Sequence, residues 1–195
     1  MKIRDWLTSI DPRAKSWHPK VIHQIAVAQE VKSYLEVGIY RGETLRRLAR
    51  HCEFVVGVDI DEKATKSIRP NERLEIFLGT VQEYSNSRSD DSRMFDLAFI
   101  DANHLVDFVI QDFDTVTQLM EKRGTILLHD TWPKSEEYAD PKYCGDAYKA
   151  VDLLRQKYGE WNFVTIRKHP GLTIAQRVGT LPSWVKKPIV PGAGS

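Results

Sequence analysis

Apolar positions along the chain recur in two rhythms, one of about 3.6 residues and one of continuous short runs, and these alternate from end to end. Over residues 20–31, Val21, Ile22, Ile25, Ala26 and Ala28 fall on one face of a helix. Ser33–Val37 then reads as a short buried strand, followed by glycines and a helix over 43–51. Residues 54–60 form a second apolar, β-branched run, and 73–78 a third, weaker one with a short helix over 81–86 behind it. Phe95–Ile100 is a fourth strand, and Val109, Phe113, Val116 and Met120 carry helical spacing after it. Residues 124–128 make a fifth strand. Residues 133–146, with Pro133, Pro141 and Gly145, read as a loop.

Helical spacing returns over 146–158 through Ala147, Ala150, Val151 and Leu154. Two last strands, Trp161–Ile166 and residues 172–176, are separated by R-K-H-P-G and suit a hairpin. Strands alternating with helices predict an α/β fold: a Rossmann-like three-layer sandwich around a mostly parallel seven-stranded sheet, closed by an antiparallel C-terminal hairpin. The expected organisation is an N-terminal extension over 1–19 (one short helix and a turn), a single domain over 20–178, and a Pro-rich, partly ordered tail over 179–195.

Charge changes this picture little. Among 195 residues the formal net charge is +1, which removes the usual electrostatic reason to bind nucleic acid or an acidic membrane surface. Cys52 and Cys144 form no metal-ligand pattern and read as reduced packing thiols. No signal sequence and no membrane-length apolar run is evident, so a cytoplasmic protein acting on a small molecule is expected, with a homo-oligomer left open.

In parallel sheets ligands bind at the carboxyl ends of the strands, which selects the candidate residues. After the first strand comes E-V-G-I-Y-R-G-E-T, residues 36–44, where Gly38 and Gly42 permit a tight turn against a ligand. A dinucleotide fingerprint would need glycine at 38, 40 and 43; Tyr40 and Glu43 stand there instead, which disfavours NAD. Asp59 ends the second strand, placed to accept hydrogen bonds from ribose hydroxyls, whereas Asp61 reads as a helix cap. Asp101 and Asp130 follow the fourth and fifth strands. Two acids there can converge on a hard cation such as Mg²⁺, or act as capping or substrate-binding groups. His104 lies three residues beyond Asp101.

The ordered set E-x-G-x-x-x-G, G-V-D, L-G-T-V-Q-E-Y (78–84), I-D-A-N-H (100–104) and G-T-I-L-L-H-D-T-W (124–132) resembles the motifs of class I S-adenosylmethionine (SAM)-dependent methyltransferases. The likeness is to the domain family of macrolide-sugar O-methyltransferases and cephalosporin-hydroxylase-like proteins, and it spans residues 20–177. It implies that Glu36 and Gly38, in one loop with Tyr40 and Gly42, hold the methionine end of the cofactor, and Asp59 its ribose. Thr80, Val81 and Gln82 would line the adenine pocket.

By the same resemblance Asp101, beside the cofactor, and Asp130 would ligate a metal, and His104 would be the base in O-methylation of a small hydroxylated acceptor. The chain departs from that pattern at His129 and Thr131, where related proteins carry an acid or an amide, so Mg²⁺ has no evident third protein ligand. Tyr40, Trp132, Tyr138 and Tyr143 are candidates to line the acceptor pocket. Of the other histidines, His18 and His51 are expected at the surface, His23 on the first helix and His169 in a turn. A non-catalytic nucleoside-binding domain on the same fold is the competing reading, with an NAD-dependent oxidoreductase behind it.

Overall fold

The computed structural model describes residues 17–88 and 91–179. The expected N-terminal extension, up to residue 16, and the Pro-rich tail from residue 180 lie outside the described residues. Helix α1 (His18–Ala28) precedes β1 (Ser33–Val37), α2 (Glu43–Leu48), β2 (Phe54–Asp59), α3 (Glu62–Lys66), β3 (Leu74–Leu78) and α4 (Val81–Ser87). The second half runs β4 (Phe95–Ile100), α5 (Val106–Leu119), β5 (Met120–His129), α6 (Ala150–Lys157), β6 (Trp161–Ile166) and β7 (Leu172–Arg177). One seven-stranded sheet has the order β3-β2-β1-β4-β5-β7-β6, parallel except for β7, which is antiparallel to both neighbours. The predicted mixed sheet is the observed one. Among the described residues no helix is long and apolar enough to cross a membrane.

Alternation along the strands builds the two outer layers. Leu35, Val37, Val56, Val58, Ile126 and Leu128 point to one face, where Val81, Tyr84, Val109, Phe113, Val116 and Leu154 of α4, α5 and α6 cover them. Tyr34, Val55, Leu97, Phe99 and Leu127 point to the other, against Ile22, Ala26, Leu45, Leu48 and Ala64 of α1, α2 and α3. A register shift between Phe95 and Leu97 puts these two β4 residues on opposite faces. Glu36 takes the same face as Tyr34 and is only 2% exposed. A carboxyl on a buried sheet face costs stability unless something uses it, which directs attention to the end of β1.

Where the boundaries differ from the sequence pattern, local chemistry explains it. Helix α1 starts at His18 because Pro19 falls in its first turn, where the missing N–H is not needed. Strand β5 begins at Met120, four residues before Gly124, because α5 passes directly into it and Met120 pairs with Phe95. Residues 146–158 divide into a 3₁₀ turn, Ala147–Lys149, and α6. His18 corrects the expectation of a surface residue: it is 9% exposed, because α1 lays its first turn against Phe99 and His129 at the carboxyl end of the sheet. His51 is exposed as expected.

Candidate active site

The loops after β1 and β4 touch at the place where strand order reverses. Asp101 donates its amide to the carbonyl of Val37 at 2.8 Å, and Gly38 donates to Val58 at 2.9 Å. Gly38 sits at φ +91°, and a Cβ on it would lie 2.3 Å from the carbonyl oxygen of Asp101. Only glycine lets these two loops close to this distance.

Asp59 organises the turn beyond. Its Oδ2 accepts from the amides of Ile39 at 2.7 Å and Tyr40 at 3.1 Å, and its Oδ1 from Asp61 at 2.8 Å. Asp61 caps α3 by accepting from the Lys63 amide at 2.8 Å, the helix-cap role read from the sequence. Tyr40 has φ +48° and is 74% exposed, and Gly42, at φ +63°, is the N-cap of α2. Glu36 accepts from the Tyr34 hydroxyl at 2.8 Å, and burial holds its carboxyl well above the usual carboxylate range. Burial likewise pushes the Tyr34 hydroxyl up.

After β3, Thr80 and Glu83 close a capping box at the start of α4. The Val81 side chain is buried in the core, and Gln82 donates to Asp112 at 3.1 Å and Thr115 at 3.2 Å on α5. These three side chains are thus engaged within the fold, which leaves main-chain groups as what this segment offers a planar ring.

The ends of β4 and β5 carry a ring of alternating acids and imidazoles. His129 Nδ1 lies 2.9 Å from Asp101 Oδ1 and 3.3 Å from Asp130 Oδ2. His104 Nε2 lies 3.1 Å from Asp130 Oδ2 and 4.0 Å from Asp101 Oδ1. Burial opposes a charge on His129, but the two carboxylates win and push its pKa up to about 10. Burial likewise works against ionised Asp130, yet the hydrogen bond and charge of His129, with His104 adding to them, hold its carboxyl below the usual range. Asp130 also accepts from the buried Cys144 thiol, which burial and this carboxylate push up to about 12. Asp130 is held at φ +57°, a left-handed conformation that costs roughly 1 kcal/mol or more and aims its side chain inward.

The 133–146 loop shapes the approach to this ring. Gly145, at φ +56°, packs where a Cβ would lie 2.2 Å from the carbonyl oxygen of His104. Asp146 Oδ1 accepts from the Val106 amide at 2.8 Å and fixes the start of α5. Tyr138 packs at a tilt against Tyr143 and edge-on against His169, with ring centroids 5.2 and 4.6 Å away, while Trp132, 41% exposed, lies under Arg167. A separate cavity of about 410 Å³ opens among Arg41, Glu43, Arg46, Arg47 and Arg50, on α2 and the turns at its two ends, and contains none of the clustered acids or imidazoles.

The structure thus brings Asp101, His104 and Asp130 together, as the sequence spacing anticipated, and places the Gly38 turn against Asp101. Two further histidines complete the cluster. His129 was expected to be a poor metal ligand, yet its imidazole touches both acids. His18 packs edge-on against His129 with ring centroids 4.1 Å apart. No local sequence signal marks His18, since its place depends on where α1 crosses the sheet. The donor set also bears on the metal. Mg²⁺ favours six oxygen ligands, and a ring with as many imidazoles as carboxylates does not fit it.

Comparison with known proteins places this fold. Residues 35–131, from β1 to the residue after Asp130, match a family described as a methyltransferase domain. The fold is similar to the O-methyltransferase TomG from Streptomyces achromogenes, involved in tomaymycin synthesis and solved with SAM, at TM-score 0.68 and 17% identity over 83% of this chain and 80% of that one. An O-methyltransferase from Bacillus cereus solved with S-adenosylhomocysteine (SAH) gives 0.68 and 17% over 87% and 82%. The SAH-bound Podospora anserina methyltransferase PaMTH1 gives 0.66 and 19% over 89% and 85%. No curated protein matches the sequence.

Proposed function

We propose that the chain is a SAM-dependent O-methyltransferase for a small hydroxylated acceptor, with His104 as the base. The observation that carries this reading is the pairing of His104 Nε2 with buried Asp130 at 3.1 Å, beside the glycine turn that meets Asp101. A methyltransferase-domain match across these same residues supports it.

When bound, SAM supplies a methyl group already activated on a sulfonium, so the chain's task is alignment, water exclusion and removal of one proton. In this reading Glu36 and the Gly38 turn hold the methionine end and Asp59 the ribose. The Asp59 carboxylate already orients the Ile39 and Tyr40 amides, so the turn is built before a ligand arrives. The backbone of Thr80, Val81 and Gln82 borders the adenine. Asp130, 3.1 Å from Nε2 of His104, offsets the positive charge that the ring gains when its Nδ1 takes the acceptor's hydroxyl proton as the methyl group passes from sulfur to oxygen. His129, cationic between Asp101 and Asp130, offsets the charge of both acids and fixes their orientation. Tyr138, Tyr143 and Trp132 supply an aromatic wall suited to a small ring or sugar face.

Transfer of a labelled methyl group from SAM to a panel of sugars and vicinal diols tests this reading. Wild-type chain should label at least one acceptor, and His104→Ala should lower turnover by about 10²–10⁴-fold with SAH affinity unchanged. Undiminished turnover in His104→Ala would remove the base. SAH binding without transfer to any acceptor would favour a non-catalytic nucleoside-binding domain.

A further inference from the structure

One ring nitrogen of His18, one of His129 and a carboxylate oxygen of Asp101 lie within 4.8 Å of one another. They come from three distant elements: the first turn of α1, the end of β5 and the residue after β4. Both imidazoles are about nine-tenths buried, His18 at 9% exposed and the His129 side chain at 10%. Each also keeps a buried nitrogen, His18 Nδ1 and His129 Nε2, that finds no hydrogen-bond partner among the described residues. An orphaned buried polar atom costs about 1–3 kcal/mol, so two in contacting rings call for a ligand. Phe99 lies against both rings, at 5.5 and 5.8 Å between centroids, and makes an apolar floor. Asp101, 23% exposed, is the member open to solvent and gives an ion its way in.

We propose that His18, Asp101 and His129 form a site for a borderline divalent transition-metal ion of the zinc type. Two imidazoles and one carboxylate are a donor set such ions prefer, and three protein ligands leave a coordination position for water or an acceptor oxygen. The site differs from a magnesium centre built on Asp101 and Asp130, because nitrogen donors dominate and α1 contributes one of them. It ties the first helix to the carboxyl edge of the sheet, the ion taking the place of the proton that His129 carries in the metal-free chain, and it holds whether or not the chain transfers methyl groups.

The test uses the full chain, stripped with chelator and titrated calorimetrically with Zn²⁺, Co²⁺ and Mg²⁺, with histidine-ring ¹⁵N spectra recorded on the wild type. The expected result is one equivalent of Zn²⁺, bound about 100-fold or more tighter than Mg²⁺, with ring shifts confined to His18 and His129. His18→Ala should weaken Zn²⁺ by about 100-fold, and Co²⁺ should give the intense visible bands of a low-coordinate site. The surface pair His23 and His51, ring centroids 5.6 Å apart, is the decoy, so His51→Ala should change nothing. Full Zn²⁺ affinity in His18→Ala, loss in His51→Ala, Mg²⁺ binding as tight as Zn²⁺, or no stoichiometric binding would each overturn the proposal. The ring spectra decide the matter on unaltered protein if a variant fails to fold.

Discussion

The β1–β2 end of the sheet and the β4–β5 end both present acids to the same crevice, but they hold them in different ways. Asp59 has its two oxygens occupied by backbone amides, those of Ile39 and Tyr40 in the turn after β1 and that of Asp61, and Glu36 leans on the Tyr34 hydroxyl. Asp101 and Asp130 are held instead by imidazole side chains, His129 between them and His104 on Asp130. The first arrangement presets a backbone shape and contains no imidazole. The second is a charge network in which protons and cations compete for the same seats. In the proposed function the first is the binding half and the second the reacting half, and each can be perturbed without the other.

Gly38→Ala should have the largest effect, because its Cβ would overlap the Asp101 carbonyl at a backbone angle that alanine resists. A loss of about 4 kcal/mol in denaturant unfolding is expected, and a variant of native stability would show that the two halves do not depend on their contact.

His129→Ala comes next. It leaves buried Asp130 and half-buried Asp101 without the cation between them, at a cost of about 3 kcal/mol. Calorimetric SAH affinity should stay within a factor of about 2 in this variant if the halves are separable.

The pH dependence of stability sharpens the contrast, since two touching histidines pull in opposite directions. Burial lowers His18 to about 4, so the unfolded chain binds the extra proton and stability falls as pH drops from about 6.5 toward 4. His129 is raised to about 10, so its contribution is complete below about 6.5 and is lost as pH rises toward 10. Asp130, depressed by its histidines, adds stability above the usual carboxylate range and loses it in acid. Thermal unfolding across pH should therefore peak near neutrality, with losses on the order of 2 kcal/mol on each flank. In His18→Ala the acid flank from this histidine should disappear while the alkaline one remains.

The smallest effect belongs to the start of α4: Thr80→Ala removes one helix cap at about 1 kcal/mol and should leave the His–Asp ring untouched.

How much of this was legible in the sequence follows the same division. The sheet was readable because each strand is a short apolar run and each covering helix shows its own period, and the glycine turn and Asp59 because their spacing is local. Asp101, His104 and Asp130 were found by standing at strand ends. His129 was underrated because its value depends on two acids reaching it at once. His18 was misplaced because a histidine before a helix-starting proline looks like surface until α1 is laid across the sheet. Contacts between distant elements, unlike turns and caps, leave no local trace in composition or periodicity.

The central claim is that the crevice beside Gly38 and Asp59 binds SAM, and calorimetric titration of the full chain with SAM, SAH and NADH tests it most directly. The account predicts micromolar binding of SAM and SAH with no heat from NADH. Heat from NADH alone, or from none of the three, would contradict it.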